Sequence, residues 1–156
     1  MRHTAAQVVG KVGALELAAK SWAGLIPALQ ANVADAPAGV KQATLEALGF
    51  VCEGLDHRAL EQAQVNVVLT AVVAGMAKEQ EAATRAVATK ALDNALAFAA
   101  VNFESKDERD YLMATVCACA EAPEPQARAR NAAAIGDRPR RHTASRRRQT
   151  AYRALP

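Results

Sequence analysis

Few side chains in this sequence could carry covalent chemistry. The candidates are the pair Asp56-His57 and three cysteines, Cys52, Cys117 and Cys119. A catalytic triad needs a serine or cysteine that a histidine activates and an acid orients, and no Ser or Cys stands in such a context here. No glycine-rich phosphate loop follows a strand, and no pair of acids is isolated in a predicted cleft. The sequence therefore predicts a protein that is not an enzyme and binds no cofactor.

The three cysteines have a structural interpretation instead. Cys117 and Cys119 are two residues apart on a predicted helix, so they face different sides and suit neither a disulfide nor a metal site. Unpaired cysteine behaves as a small apolar residue that is usually buried. We therefore expect buried free thiols in a reducing compartment and no metal site.

The composition favours closely packed helices. The chain has 156 residues, enough for one domain, and it is 51% hydrophobic but only 4% aromatic. Alanine makes up much of the difference, and it is the best helix former and a poor strand former. No run of 18 apolar residues could span a membrane, and the N-terminus lacks the long apolar stretch of a signal peptide. These features predict an all-α protein.

A short helical segment recurs at an interval of 43 residues. "LIPALQANV" begins at Leu25, "VLTAVVAGM" at Val68 and "YLMATVCAC" at Tyr111. Each is followed by a second helix, so the repeating unit is a helical pair, and its period is typical of HEAT and armadillo arrays. The two-helix HEAT unit fits better than the three-helix armadillo unit. One hairpin cannot bury its apolar face alone, so the pattern predicts an α-α superhelix in which hairpins stack.

The apolar periodicity also predicts the boundaries of this array. It divides residues 1–135 into a partial repeat at 4–18, whole repeats at 22–55 and 62–103, and a partial repeat at 105–135. The predicted helices are about 4–18, 25–33, 40–55, 62–76, 82–103, one that begins near Ser105 with Glu108 at the capping-box position, and one that begins after Pro125. Neither end has the polar capping helix of a complete solenoid, so we expect a fragment of a longer array.

Basic residues recur near the start of each second helix. Lys41, Arg85 and Arg128 lie 44 and 43 residues apart. We expect them to be structural repeat positions that bond carbonyls or acids of the neighbouring repeat.

The net charge of +3 is unevenly distributed. Residues 1–136 hold 12 Lys and Arg against 15 Asp and Glu, whereas residues 137–156 hold seven Arg and one Asp. The segment 136–156 contains two arginine clusters, Arg138/Arg140/Arg141 and Arg146/Arg147/Arg148. Such a segment cannot bury a core, so we expect a disordered basic tail. It could act as a nuclear-localisation or nucleic-acid patch; we favour an out-of-frame or intron-derived end of a predicted gene.

The amino-acid sequences of the helices closely resemble those of one family. From about Ala6 to Arg130, the segments "SWAGLIPALQANV", "VKQATLEALGFVCEGLD", "QVNVVLTAVVAGM", "ATKALDNALAFAAVNF" and "ERDYLMATVCACAEAP" follow one another as in importin-β, the karyopherin-β family of nuclear import receptors. The wording is closest to plant and algal members. The chain looks like the end of the third HEAT repeat, the fourth and fifth, and the start of the sixth.

This resemblance implies a role in nuclear import. Importin-β binds the Phe-Gly repeats of nucleoporins in grooves between the first helices of adjacent repeats, and it binds the small GTPase Ran in its GTP form through its N-terminal repeats. We expect partial Ran contact here, and binding of importin-α or cargo only in a full-length receptor. The implied location is the cytoplasm and nucleus, at the nuclear pore. No membrane partner is expected, and nucleic acid only through the Arg-rich tail.

The resemblance also implies which residues bind nucleoporins. The matching positions are Leu69, Thr70 and Val73 on one first helix, and Glu108, Tyr111 and Leu112 on the next. Spacings of three or four residues place each set on one helix face. Tyr111 stands where Phe is familiar in animal members, and Val73 and Leu112 stand where Ile is.

Two alternatives stay open at the level of the sequence. An apolar stripe on a helix is usually core, so the apolar members of this set could pack inside the array rather than bind a ligand. The whole chain could also be a generic HEAT-repeat scaffold for protein–protein interaction, unrelated to transport.

Overall fold

The computed structural model describes residues 1–121, and every regular element within them is a helix. The α-helices are α1 (Arg2–Ala18), α2 (Leu25–Asp35), α3 (Ala38–Gly54), α4 (Gln62–Gly75), α5 (Ala82–Ala95), α6 (Ala100–Glu104) and α7 (Lys106–Ala120). A single 3₁₀ turn, Leu96–Phe98, lies between α5 and α6. Arg128, the end of the last predicted repeat and the Arg-rich segment 136–156 lie outside the described residues.

The helices form two layers of stacked hairpins. Helix α2 packs on α3 to form one hairpin, and α4 packs on α5 to form the next. Between hairpins, α3 packs against both α1 and α5, while α2 packs against α4. The second helices α1, α3 and α5 therefore make one layer, and the first helices α2 and α4 make the other. This arrangement confirms the predicted all-α solenoid.

The core lies between the layers and centres on α3. Leu45, Leu48 and Val51 of α3 are fully buried, and so is Val72 of α4. Burying a side chain of this size is worth about 1.5–3 kcal/mol relative to leaving it exposed. Because α3 has neighbours on both sides in its own layer, removing either neighbour would expose part of this apolar surface.

Small residues set how closely the helices approach. Gly75, at the end of α4, faces α3 and α5: a Cβ there would lie 2.7 Å from Leu45 Cδ1 and 2.9 Å from Ala88 Cβ. One turn after Leu45 on α3, a Cβ at Gly49 would lie 3.3 Å from the Cα of Ala91 in α5. The alanine-rich composition therefore has a packing role, since larger side chains at these contacts would push the helices apart.

The helix predicted at 82–103 is broken. Helix α5 ends at Ala95, and the 3₁₀ turn separates it from α6. A 3₁₀ turn has three residues per turn instead of 3.6, so it rotates the following side chains; Phe98 and Ala99 are buried, while Leu96 is exposed. The change of direction lets α6 pack against α7. Periodicity alone did not predict this break.

Lys41 and Arg85 hold the hairpin turns. The Lys41 ammonium donates to the carbonyl of Ala34 at 2.9 Å, and the Arg85 guanidinium donates to the carbonyls of Gln80 at 2.6 Å and Lys78 at 3.2 Å. These acceptors belong to the first helix or the turn of the same hairpin. For Lys41 the acceptor therefore belongs to its own repeat rather than to the neighbouring one. The Arg85 charge also acts on Cys119 of α7, so contact with the neighbouring repeat stays a prediction for Arg85.

The three cysteines are free and differ in exposure. Cys52 is buried, Cys119 is half-buried and Cys117 is exposed, so the expectation of buried thiols is wrong for Cys117, which lies on a face of α7 that is open to solvent. Burial raises the pKa of Cys52 to about 12. Burial also raises the pKa of Cys119, against a smaller opposing effect of the Arg85 charge; its thiol donates to the carbonyl of Met76 at 3.2 Å.

No helix among residues 1–121 is both long and apolar enough to cross a bilayer. Within the same residues, no three His, Cys, Asp or Glu side chains are grouped in a way that could hold a metal ion.

We predict that Gly75→Ala destabilises the protein by about 1–2 kcal/mol. Alanine should gain up to about 1 kcal/mol in helix propensity, but overpacking against Leu45 and Ala88 typically costs about 1–3 kcal/mol. Gly39→Ala is the matched control, because a Cβ there meets only the mobile end of the Arg2 side chain. Urea denaturation followed by circular dichroism measures both; equal stability of the two variants would contradict the close packing at Gly75.

We also predict unequal thiol reactivity. At pH 8 the native protein should react rapidly with a thiol-specific disulfide reagent at Cys117 and very slowly at Cys52, because the thiolate is the reactive form and the pKa of Cys52 is about 12. Mass spectrometry of the labelled peptides distinguishes the sites. Labelling in denaturant is the control, in which Cys52 should react as fast as Cys117; rapid native labelling of Cys52 would contradict its burial.

Candidate functional site

An open groove lies between the first helices α4 and α7. Its volume is about 420 Å³, within the range of ligand pockets in proteins. The residues lining it are Asn66, Leu69, Thr70, Val73 and Ala74 of α4, Asn102 of α6, and Glu108, Tyr111 and Leu112 of α7. We call this surface the α4–α7 groove.

All six positions that the sequence assigned to a nucleoporin site line this groove. Leu69, Thr70 and Val73 lie on its α4 side, and the other three, Glu108, Tyr111 and Leu112, lie on its α7 side. The two sets are about 40 residues apart in the sequence. They meet because α7, which follows the α4–α5 hairpin and α6 in the chain, lies on the opposite side of the groove from α4.

The floor of the groove is apolar and its rim carries an aromatic ring. Leu69, Val73 and Leu112 are buried and belong to the hydrophobic core, whereas the side chain of Tyr111 stands open to solvent with 64% of its surface exposed. The core and groove interpretations are therefore compatible for the three floor residues, each of which packs inside and also presents part of its surface to the groove. Tyr111 is not part of the core.

The groove exists because α4 and α7 do not close on each other. Helix α4 packs along α2 on one side, but no comparable packing joins α4 to α7. The short helix α6 lies beside the start of α7 and contributes Asn102 to the lining. The break after Ala95 therefore helps to shape the groove, since a continuous helix would carry Asn102 in a different direction.

Polar side chains form a hydrogen-bonded cluster at the α6 end of the groove. Asn102, only 7% exposed, donates through Nδ2 to Asn66 Oδ1 at 2.9 Å and to Glu108 Oε2 at 2.6 Å. Gln62 Nε2 donates to Asn102 Oδ1 at 2.9 Å and to Asn66 Oδ1 at 2.8 Å. We call these four residues, Gln62, Asn66, Asn102 and Glu108, the amide cluster. It joins α4, α6 and α7.

Sequence reasoning missed Asn66 and Asn102. A signal for Asn102 existed, because it lies seven residues after the buried Ala95 and so falls on the apolar face of the predicted helix. A polar residue on such a face needs a hydrogen-bonding partner. Asn66 gave no comparable signal, since an exposed asparagine near the start of a helix is common.

The arrangement suits binding of an apolar group beside a polar one. The Thr70 hydroxyl, the one hydroxyl on the α4 side of the groove, donates to the backbone carbonyl of Asn66 at 2.7 Å, which is a local helix bond without an activating base. The apolar floor can take an aliphatic or aromatic side chain, while the amide cluster can bond a polar group beside it.

The chain is similar in sequence to curated import proteins. It is 48% identical over 129 residues to importin subunit beta-1 of Arabidopsis thaliana, covering 82% of this chain and 15% of the relative. It is 42% identical over 124 residues to importin subunit beta-1 of Schizosaccharomyces pombe, covering 78% of this chain and 14% of the relative. The chain thus spans about one seventh of the length of these relatives. No protein-family profile matches it.

Solved structures of importin beta and Kap95 are also similar to this chain. A crystal structure of importin beta in an ammonium sulfate condition matches 81% of this chain and 15% of its own, at 36% identity and a TM-score of 0.74. Kap95 in a complex with Nup1 matches with the same coverage, at 35% identity and a TM-score of 0.71. Kap95p in a structure describing its binding to RanGDP matches 80% of this chain and 15% of its own, at 34% identity and a TM-score of 0.72.

Sequence identity well above 30% over four fifths of the chain, together with the same stacked-hairpin fold, establishes common descent. This agrees with the resemblance seen in the helix sequences. The chain belongs to the importin-β family.

Proposed function

We propose that this chain is a segment of a nuclear import receptor and that its α4–α7 groove binds the phenylalanine side chain of Phe-Gly nucleoporins. The observation that carries the proposal is the convergence of all six expected residues on one groove with an apolar floor. The activity is binding without catalysis. The receptor acts in the cytoplasm and the nucleus, at the nuclear pore.

The energetics of such a groove suit transport. Burying one Phe ring is worth about 1.5–3 kcal/mol, whereas even a millimolar Kd requires about 4 kcal/mol. One groove therefore binds weakly and releases quickly. A receptor with many such grooves gains avidity on a ligand that carries many Phe-Gly repeats, so it can hold the pore lining and still move through it.

The tyrosine at the rim adjusts this interaction. Tyr111 keeps the flat ring that can stack against a bound Phe, with aromatic pairs worth about 0.5–1.5 kcal/mol beyond their buried area. The Tyr111 hydroxyl needs water or a polar partner. Because Tyr111 is 64% exposed, solvent water can bond this hydroxyl. The groove therefore keeps an aromatic wall without a cost for burying the hydroxyl.

Relatives support the choice of partners. Kap95 has been solved with Nup1, and Kap95p has been studied bound to RanGDP. For this chain we propose Phe-Gly nucleoporins as the main partner and Ran as a partner with an incomplete surface, since the chain spans about 15% of those receptors. Binding of importin-α or cargo is assigned only to a longer receptor.

We predict that Tyr111→Ala and Leu69→Ala each weaken binding of a Phe-Gly peptide by roughly three- to tenfold, because each removes part of the surface that the Phe ring covers. The measurement is a ¹⁵N NMR titration of the full 156-residue chain with a multivalent Phe-Gly peptide. The same peptide with Phe replaced by Ala should cause no comparable shifts.

Matched variants separate binding from folding. Met113→Ala removes a large exposed side chain from α7 outside the groove, and Leu29→Ala removes a leucine 7% exposed, close to the 6% of Leu69. Both should retain wild-type affinity at equal folded fraction. Shifts that map away from α4 and α7 would show that the site is misassigned. A normally folded chain that ignores the Phe-Gly peptide would favour the generic scaffold.

A further inference from the structure

Asn66 and Glu108, two members of the amide cluster that line the groove, each have a polar atom without a hydrogen-bond partner among residues 1–121. Asn66 Oδ1 accepts from both Gln62 and Asn102, which fixes the orientation of the Asn66 amide. Within residues 1–121, neither the Asn66 Nδ2 nor the second carboxylate oxygen of Glu108 has a hydrogen-bond partner. Both residues line the groove, so these two atoms are available to a ligand.

The side chains of Asn66 and Glu108 are close to each other because one atom bonds both of them. Asn102 Nδ2 donates to Asn66 on α4 and to Glu108 on α7. This arrangement pairs an N–H donor with a charged acceptor across the width of the groove. An extended peptide backbone offers the complementary pair, a carbonyl and an N–H.

We infer that the amide cluster is a backbone-binding subsite for the peptide unit next to the phenylalanine that occupies the apolar floor, with Glu108 accepting a backbone N–H and Asn66 donating to a backbone carbonyl. This inference rests on the proposed function and deepens it. It assigns to the groove a second recognition element, directed at main chain rather than at a side chain.

Such a subsite would favour glycine beside the phenylalanine, which an apolar floor alone cannot do. A side chain on the residue beside the phenylalanine would hold the backbone away from the cluster, and glycine has none. Close approach of a backbone to a partner is a general reason for glycine at a position. The apolar floor binds the phenylalanine ring, and the amide cluster binds the backbone only where the neighbouring residue has no side chain.

Asn102 acts in this subsite as a positioning residue. It is 7% exposed and its amide is fully engaged by bonds to Gln62, Asn66 and Glu108, so it has no free group for the ligand. It fixes the Glu108 carboxylate and the Asn66 amide in place, and preorganisation of this kind lowers the cost of ordering side chains on binding.

Ester-substituted peptides test the subsite in the 156-residue chain. Glycolic acid in place of the glycine that follows Phe removes that N–H, and phenyllactic acid in place of Phe removes the N–H of Phe itself, with little change in shape. One of the two esters should bind about three- to tenfold more weakly than the amide peptide, since a single hydrogen bond has about this net value.

The amide-to-ester affinity ratio identifies the residues responsible. In Glu108→Ala the sensitive ester and the amide peptide should bind within twofold of each other, because the acceptor is absent, and the double-mutant cycle isolates this pair. Asn102→Leu should reduce the ratio in the same direction. A purely structural role of Asn102 would lower both affinities equally and leave the ratio unchanged.

Asn94→Ala is the matched control. Asn94 is also an asparagine that bridges two helices, since its Nδ2 donates to the Gly49 carbonyl at 3.1 Å, but it lies outside the groove. The ratio should remain at the wild-type value in this variant.

The outcomes separate the two proposals. Peptide binding that depends on Leu69 and Tyr111 but shows no ester sensitivity, or an ester effect that persists unchanged in Glu108→Ala, would overturn the backbone subsite and leave the phenylalanine groove in place. Absence of any Phe-Gly binding would overturn the proposed function itself.

Discussion

A two-helix hairpin of this composition has apolar side chains on more sides than its own two helices can cover. Leu45, Val51 and Val72 are fully buried only because α3 lies between α1 and α5 while α4 lies against α2. Neighbouring hairpins therefore supply the burial that each hairpin lacks, which is the general condition of solenoid proteins. The close contacts at Gly75 and Gly49 are part of the same requirement, since stacking buries apolar area only when the helices come near enough to exclude water.

The same stacking produces the groove. Second helices pack tightly in their own layer, but α4 and α7 do not close on each other. Helix α4 meets α2 closely and leaves a gap toward α7. The floor of the gap consists of core side chains such as Leu69 and Leu112, so a binding surface costs the protein little extra apolar exposure. Leu69 and Leu112 therefore contribute both to the hydrophobic core and to the surface of the groove.

The amide cluster shows how polar groups are accommodated near such a core. Asn102 is almost fully buried, and every hydrogen-bonding atom of its side chain has a partner in Gln62, Asn66 or Glu108. A buried amide without partners would cost about 1–3 kcal/mol, so the Asn102 amide needs all of these bonds. The same bonds join α6 to α4 and α7.

Much of this protein could be predicted from residue order alone. Helical periodicity, the 43-residue interval and the alanine content determined the all-α stacked-hairpin fold, and the wording of five helices determined the family. Tertiary structure decided what periodicity cannot encode: the break between Ala95 and Ala100, the fold-back of Lys41 and Arg85 onto their own turns, and the exposure of Cys117. It also decided that Asn66 and Asn102 join the groove. The physical reason is that period and propensity are local properties of one helix, whereas hydrogen-bond partners and burial depend on which other helix arrives beside it.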